Sequence, residues 1–261
     1  MTDNTTYGEG QTAMKKNYIL RVLPLAAGIL FLFFAVWGAF SSDEDTLWQK
    51  AVEIASKNVS WIPESVIHYE EVYSRIGFRQ EFTETHSTLR KQESGEVELT
   101  FHKVITNGRD ITEEFVQEFG KTLTLDESEY RVEHPFHPAS EYQVEYRQKG
   151  RKKNIEGRSC VQYEFTFRNE KGTWEGTAWL EGLTGIPMLV EGTLLSVPLD
   201  ERWYMVLDLE IITEYMTNGN GGWYPSKSIV DSFIEVDGGP LHTYKGRIKE
   251  TYRFMDYRKY E

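Results

Sequence analysis

Two histidines stand close together in the segment His134-Pro135-Phe136-His137, and histidine is a common metal ligand. A zinc site needs three or four such ligands in a fixed geometry. Prolines at positions 135 and 138 interrupt any helix or strand that would order the two rings. We therefore predict a structural loop here rather than a metal site.

Cys160 is the only cysteine of the chain, which excludes an intrachain disulfide and a cysteine-based metal cluster. A reactive thiol needs a lowered pKa and access to solvent. Cys160 lies at the start of an alternating strand, and only Arg158 offers a nearby positive charge. We predict a structural role for it.

Paired carboxylates are the groups that general acid–base catalysis uses in hydrolases. Two such pairs share strand faces: Asp208 with Glu210, and Asp231 with Glu235. Because the chain has 41 acidic residues, we expect these pairs to belong to a solvated face.

The chain also lacks the sequence motifs of a serine nucleophile and of a phosphate-binding loop. Ser226 and Ser228 stand outside any G-x-S-x-G sequence, which a nucleophile elbow requires. Glycines 219, 221 and 222 alternate with asparagines, as in a hairpin loop rather than a phosphate-binding loop. We therefore predict no catalytic residue, no cofactor and no metal, and a protein that is not an enzyme.

An aromatic stripe near the C-terminus could stack on bases if its basic neighbours bound phosphates. The stripe and the opposite face are Tyr244, Ile248, Tyr252 and Phe254 against Lys245, Arg247, Lys249 and Arg253. The chain's net charge of −12 argues against nucleic acid as a partner. We predict that the stripe faces the core and that the basic face balances acidic neighbours across the sheet.

The N-terminus predicts export. Lys15, Lys16 and Arg21 precede an uncharged apolar run at residues 22–40, and small residues at 39 and 41 suit cleavage after Ser41. The run has about the length of a ~30 Å membrane span, so an uncleaved anchor is the alternative, and both stay open. Either way residues 1–41 form a tail plus signal peptide or anchor. Residues 42–261 then form one domain, periplasmic or held outside the inner membrane.

Strand alternation dominates the exported part. In residues 160–168, apolar side chains at odd positions alternate with polar ones at even positions, which indicates a sheet with one apolar face. Turn signals recur every 10–15 residues, which is typical of a meandering antiparallel sheet. We predict helices at 46–57 and 110–119, a break at 61–63, and a basic turn at 149–154.

Aromatic residues make up 14% of the chain, and many stand at alternate strand positions. One large sheet with two helices must curl, pack on itself, or keep a concave apolar surface for a ligand. The residue pattern leaves a filled core and an open apolar surface as equal alternatives.

Three stretches of the chain carry a family resemblance: the string GTAWLEGLTGIPMLVEG at 176–192, the strand GRSCVQYEFTF before it, and Gly222-Trp223-Tyr224-Pro225 after it. Together they resemble the LolA and LolB lipoprotein carriers and related outer-membrane lipoprotein-sorting proteins. The resemblance covers about residues 140–236, and segment 191–202 departs from it. It implies a mainly β (α+β) fold: a strongly curved antiparallel sheet, or half-open β-barrel, with an N-terminal helix and a short lid helix. The implied activity is binding of a lipid or an acylated lipoprotein.

Three hypotheses follow. The first is a lipid- or lipoprotein-binding protein whose concave sheet face holds acyl chains. Its candidate lining residues, chosen by alternation, are Leu99, Phe101, Tyr163, Phe165, Phe167, Trp174, Leu207 and Leu209. The second is a membrane-anchored structural or sensory envelope protein with a filled core and a protein partner. The third is a hydrolase in which a residue such as His137 has a strongly shifted pKa.

Overall fold

The computed structural model describes residues 46–58, 60–74, 77–125, 134–136, 143–169, 172–196, 204–217, 222–237 and 243–260. Helix α1 spans Thr46–Asn58 and helix α2 spans Thr112–Phe119. The strands are β1 Trp61–Ser74, β2 Arg79–Lys91, β3 Val97–Thr106, β4 Arg109–Asp110, β5 Thr122–Leu125, β6 Gln143–Ile155, β7 Arg158–Asn169, β8 Gly172–Glu181, β9 Pro187–Ser196, β10 Tyr204–Thr217, β11 Trp223–Asp237 and β12 Thr243–Lys259.

All twelve strands join one antiparallel sheet in the order β4-β3-β2-β1-β12-β11-β10-β9-β8-β7-β6, and β5 also pairs with β3. Neighbours in the sheet are neighbours in the chain, with two exceptions: the first strand, β1, pairs with the last strand, β12, and β5 pairs with β3. Within the described residues the two edges of the sheet do not pair, so the curved sheet stays open. The predicted mainly β class with two helices is confirmed.

Two tight turns show why the chain reverses where it does. At the Asn107-Gly108 turn both residues have positive φ, 51° and 80°. Glu156 and Gly157 have φ of 50° and 80° and connect β6 to β7. Two successive positive φ values are typical of the two-residue hairpin turn that matches strand twist.

The predicted basic turn at residues 149–154 is wrong, because this segment lies inside β6. Its charges suggested a turn, but the backbone continues to pair with β7 across a bulge between Lys149 and Lys152. Within the described sheet β6 is an edge strand, where lysines and bulges discourage pairing with other chains.

The predicted break at residues 61–63 is also wrong, because β1 begins at Trp61. Pro63 lies opposite Tyr257 in the pair β1–β12. A proline is tolerated near the start of a strand, where one missing N–H donor interrupts little of the ladder.

The helices begin and end close to the predicted positions. Helix α1 buries Trp48 and Ala51 against the sheet. Helix α2 follows Asp110, whose carboxylate accepts hydrogen bonds from the Thr112 amide and hydroxyl, and the amide of Gly120 donates to the Val116 carbonyl at its end. No helix in the described part of the chain is long and apolar enough to span a membrane. Residues 22–40 lie outside that part.

The turn between β8 and β9 holds α1 in place. Gly185 has φ of 75°, and a Cβ there would lie 2.6 Å from the Leu47 carbonyl oxygen and 2.7 Å from the Lys50 Cβ. Both the backbone conformation and the close approach of the helix therefore require glycine. This glycine belongs to the T-G-x-P turn on which the family resemblance depends.

We predict that Gly185→Ala destabilises the fold by about 2–4 kcal/mol, the sum of left-handed backbone strain and overpacking against α1. Urea denaturation followed by circular dichroism measures the change. Gly182→Ala in the same turn is the control, because its Cβ would make ordinary contacts of 3.4–3.5 Å. Equal stability of the two variants would contradict the role given to Gly185.

Candidate functional site

One row of paired residues crosses ten strands and marks a single face of the sheet. Residues directly opposite each other on antiparallel strands point to the same side. From β6 to β3 this central row consists of Tyr146, Phe165, Gly176, Gly192, Ile211, Val230, Glu250, Glu70, Thr83 and Thr106. We call its face the inner face, because both helices pack on it. From β6 to β3 the side chains of this row change from aromatic to aliphatic, with two glycines between them, and then to two glutamates and two threonines.

At the β6–β8 end, α1 covers the inner face with aromatic rings. Trp48, which is 2% exposed, stacks on Tyr146 with 4.5 Å between ring centroids. Tyr163 and Phe136 lie 5.6 Å and 4.8 Å from the same indole. We call the buried rings of α1, residue 136, β7 and β8 the aromatic cluster, and Tyr146 packs against it. Its members are Trp48, Phe136, Tyr163, Phe165, Phe167 and Trp174.

The ring of Phe165 lies directly on the sheet backbone. A Cβ on Gly176 would lie 2.6 Å from the Phe165 Cζ and 2.0 Å from the Glu191 carbonyl oxygen. A Cβ on Gly192 would lie 3.8 Å from the same ring carbon. Glycine inside a strand commonly marks such a close approach.

The structure divides the eight predicted lining residues into three groups. Tyr163, Phe165, Phe167, Trp174 and Leu209 are buried together with Trp48. Leu99 and Phe101 lie at the other end of the sheet, where Phe115 of α2 approaches Phe101 with ring centroids 5.0 Å apart. Leu207 belongs to neither group. Their role in lipid binding stays a prediction.

Leu207 differs from its predicted placement on the face of Leu209. It is 44% exposed, whereas Leu209 is 2% exposed. The pairing of β10 with β11 shifts between Val206 and Asp208, so Leu207 lies in a β-bulge. The extra residue breaks the alternation and turns Val206 towards the core instead.

An aliphatic strip follows the aromatic cluster along the inner face. It consists of Val206, Ile211 and Val230, which pack against the cluster and remain half-buried. Ile211 and Val230 are opposite each other in the central row. Half-buried aliphatic side chains on an open sheet face can still gain contact with an apolar ligand.

Next to this strip, two carboxylates stand opposite each other. Glu250 of β12 is paired in register with Glu70 of β1 and is only 4% exposed. The Tyr252 hydroxyl donates a 2.7 Å hydrogen bond to Glu250 Oε1. His68 Nε2 lies 3.2 Å from the same oxygen, within ion-pair distance but without the alignment of a hydrogen bond. We call Glu70 and Glu250 the acid pair.

The acid pair is electrostatically unfavourable when both groups are charged. Burial, and then the charge of Glu250, raise the pKa of Glu70 to about 7. Burial and Glu250 also raise the pKa of Tyr252 well above its usual value, so its hydroxyl remains a donor. At neutral pH the Glu70 carboxyl is therefore partly protonated.

Buried hydroxyls surround the acid pair on the inner face. Thr213 and Ser228 lie 3.3 Å apart and hydrogen-bond to each other, and Ser232 donates to the Ile248 carbonyl at 3.3 Å. The His68 ring stacks on Tyr252 with centroids 4.4 Å apart. The centre of the inner face is thus polar, whereas both helix-covered ends are apolar.

Sequence reasoning missed the acid pair, although a signal was present. The predicted stripe of Ile248, Tyr252 and Phe254 is inward, and Glu250 occupies the skipped position in its middle. On β1, Glu70 likewise stands at an inward position between Val66 and Val72. A charged residue in the apolar register of a strand is the signal that could have found both.

Several residues that the sequence analysis considered and discounted as functional candidates are ion-paired or buried in the described structure. Asp231 forms a two-point ion pair with Arg247, and Lys245 pairs with Glu235, which confirms that the basic face balances acidic neighbours. Ser228 is buried in its bond with Thr213, and burial raises the pKa of Cys160. Residue 137 lies outside the described part of the chain. Among the described residues, no three His, Cys, Asp or Glu side chains are placed to hold a metal ion.

We predict that Glu70→Gln makes the protein more stable at about pH 8 by on the order of 1–3 kcal/mol. A raised carboxyl pKa means that Glu70 stabilises the fold below its unfolded pKa of about 4.5 and loses that contribution as pH rises through about 7. The stability difference between variant and wild type should be near zero at acid pH and reach its plateau above neutrality. Thermal unfolding across this pH range measures it.

Glu71→Gln is the control, since Glu71 is adjacent on β1 but lies on the outer face, 3.3 Å from Arg79. We expect it to change stability little at any pH, because exposed ion pairs contribute little. A pH-independent effect of Glu70→Gln would contradict the pKa assigned to Glu70.

Comparison with known proteins finds partly similar structures, all at low sequence identity. No protein-family model and no curated protein matches the chain. An outer membrane lipoprotein-sorting protein domain from Vibrio parahaemolyticus is 9% identical, with a TM-score of 0.32, over 81% of this chain and 93% of that one. A DUF1329 family protein from Desulfovibrio piger is 10% identical, with a TM-score of 0.37, over 84% and 94%.

A third similar structure is MucB in complex with MucA(peri), which is 11% identical with a TM-score of 0.20, over 81% of this chain and 99% of that one. With TM-scores of 0.20 to 0.37, these similarities assign neither a family nor a function to this chain.

Proposed function

We propose that this chain is an extracytoplasmic binding protein for a lipid or for the acyl chains of a lipoprotein. The observation that supports the proposal is the aliphatic strip of Val206, Ile211 and Val230, half-buried on the inner face of an open sheet. Acyl chains lying along it would bury these side chains, at about 25 cal/mol for each Å² of apolar surface removed from water.

The position of the strip suits an amphiphilic ligand. On one side the aromatic cluster supplies apolar surface, and on the other side Glu250 and Glu70 supply polar groups. Two further polar atoms within the apolar region, Trp174 Nε1 and the Tyr215 hydroxyl, are buried without a hydrogen-bond partner in the described residues. Each such donor could bond an ester or amide carbonyl of a bound lipid.

Export fits this function. Residues 1–41 would act as a cytoplasmic tail with a signal peptide or membrane anchor, and residues 42–261 would be periplasmic or held at the outer side of the inner membrane. A ligand-binding domain placed there would meet lipids and acylated proteins of the envelope. A role in outer-membrane lipoprotein sorting is the finer form of the proposal.

We predict that Val230→Glu weakens binding of a fluorescent long-chain fatty-acid probe by at least about tenfold, because a carboxylate in the aliphatic strip must be desolvated by the acyl chain. Fluorescence titration of the full chain measures the affinity. Phe165→Glu, the variant that sequence alone suggests, would test folding instead, because Phe165 is 4% exposed and rests on the sheet backbone.

Ile229→Glu is the matched control, one residue away on the same strand and on the outer face opposite Ile212. It should bind the probe as the wild type does. Native mass spectrometry of the purified full chain should in addition show a lipid or acylated-peptide adduct. An apo mass that persists after incubation with lipid would overturn the proposal and favour a structural or sensory protein with a filled core and a protein partner.

A further inference from the structure

The acid pair is unusual because, among the described residues, no lysine or arginine pairs with either carboxylate and only His68 approaches it as a possible cation. Glu70 and Glu250 are directly opposite across β1 and β12, and like charges at directly opposite positions destabilise a sheet. Glu250 is held by Tyr252 and approached by His68. The Glu70 carboxylate has neither a hydrogen bond nor an ion pair with any described residue, although its side chain is at least half-buried and burial is the main cause of its raised pKa.

Lysine and arginine are absent from the inward positions around the pair in β11, β12, β1 and β2. These positions are Ser228, Val230, Ser232, Ile234, Ile248, Glu250, Tyr252, Phe254, Val66, His68, Glu70, Val72, Glu81, Thr83, Thr85 and Ser87. The charged or titratable groups that act on Glu70 are Glu250, His68 and Glu81. Two of these three carry negative charge, so the local field favours a cation.

The pair also stands at the polar end of the aliphatic strip. Val230 is the neighbour of Glu250 in the central row, and Ile211 is the next residue after Val230. Three strand spacings separate Ile211 from Glu70, which is about 14 Å at 4.7–4.9 Å each. An extended acyl chain can cover this distance while its head group reaches the acid pair.

We propose that Glu70 and Glu250 bind the primary ammonium head group of an amphiphile whose acyl chain lies on Ile211 and Val230. This inference rests on the proposed function and names the class of ligand. A primary ammonium group has three donors on one small nitrogen, which suits two facing carboxylates at a polar–apolar boundary. Binding it removes the like-charge repulsion that the unliganded pair carries.

The experiment compares three probes with the same chain and different head groups: oleylamine, oleyl alcohol and oleate. Each is titrated into the full chain at about pH 8 from a cyclodextrin carrier, and binding is followed by intrinsic tryptophan fluorescence. We expect oleylamine to bind at least about tenfold more tightly than oleyl alcohol, and oleate to bind most weakly. Lowering the pH to about 5.5 should reduce the preference for the amine, because protonation of Glu70 removes one negative charge.

Glu70→Gln and Glu250→Gln should each lower the affinity for oleylamine to near the wild-type affinity for oleyl alcohol. Glu71→Gln, on the outer face of β1, is the control and should bind all three probes as the wild type does. Because the wild type alone reports head-group preference, a variant that folds poorly does not prevent the test.

Two results would overturn the inference in different ways. Similar affinities of the wild type for the three probes, unchanged by either Gln substitution, would exclude an ammonium site and leave acyl-chain binding intact. Binding of none of the three probes would contradict the proposed function itself.

Discussion

The contact between the Phe165 ring and the backbone at Gly176 and Gly192 underlies the arrangement of the inner face. Because neither glycine has a Cβ, the ring lies on the sheet itself, and Trp48 of α1 packs over the rings beside it. The other side of α1 meets the turn at Gly185, which approaches the helix too closely for any other residue. These contacts place α1 over β6–β8, and the position of α1 determines which part of the open sheet is covered.

Because the two edges of the sheet do not pair in the described residues, the part of the inner face beyond α1 must be covered in another way. Helix α2 covers β3 with Phe115, while the middle of the face carries the aliphatic strip, buried hydroxyls and the acid pair. Burying one large apolar side chain stabilises a fold by about 1.5–3 kcal/mol, so the aromatic cluster can offset a locally unfavourable carboxylate pair. Local conflicts of this kind are typical of functional sites, where a ligand supplies the missing partner.

The two faces of the same strands handle charge in different ways. On the outer face Asp231 pairs with Arg247 and Glu235 with Lys245, so opposite charges alternate across neighbouring strands. On the inner face of β12 and β1, Glu250 is opposite Glu70, and among the described residues only His68 brings a basic group near them. Because only the outer face of these strands has balanced charges, we infer that the inner face is adapted to contact a ligand rather than water alone. Here that face lies beside the aliphatic strip, which joins the polar and apolar halves of one surface.

Local residue patterns predicted the mainly β class, both helices and the shared face of Tyr163, Phe165 and Phe167, because strand alternation and helix periodicity are local properties of the chain. Leu207 was misplaced because a β-bulge is a property of two paired strands, here β10 and β11. The acid pair was decided by tertiary structure alone. Glu70 and Glu250 are far apart in the chain, and only the pairing of β1 with β12 brings them together. Alternation predicts which way a side chain points from its own strand; it carries no information about which strand will lie beside it.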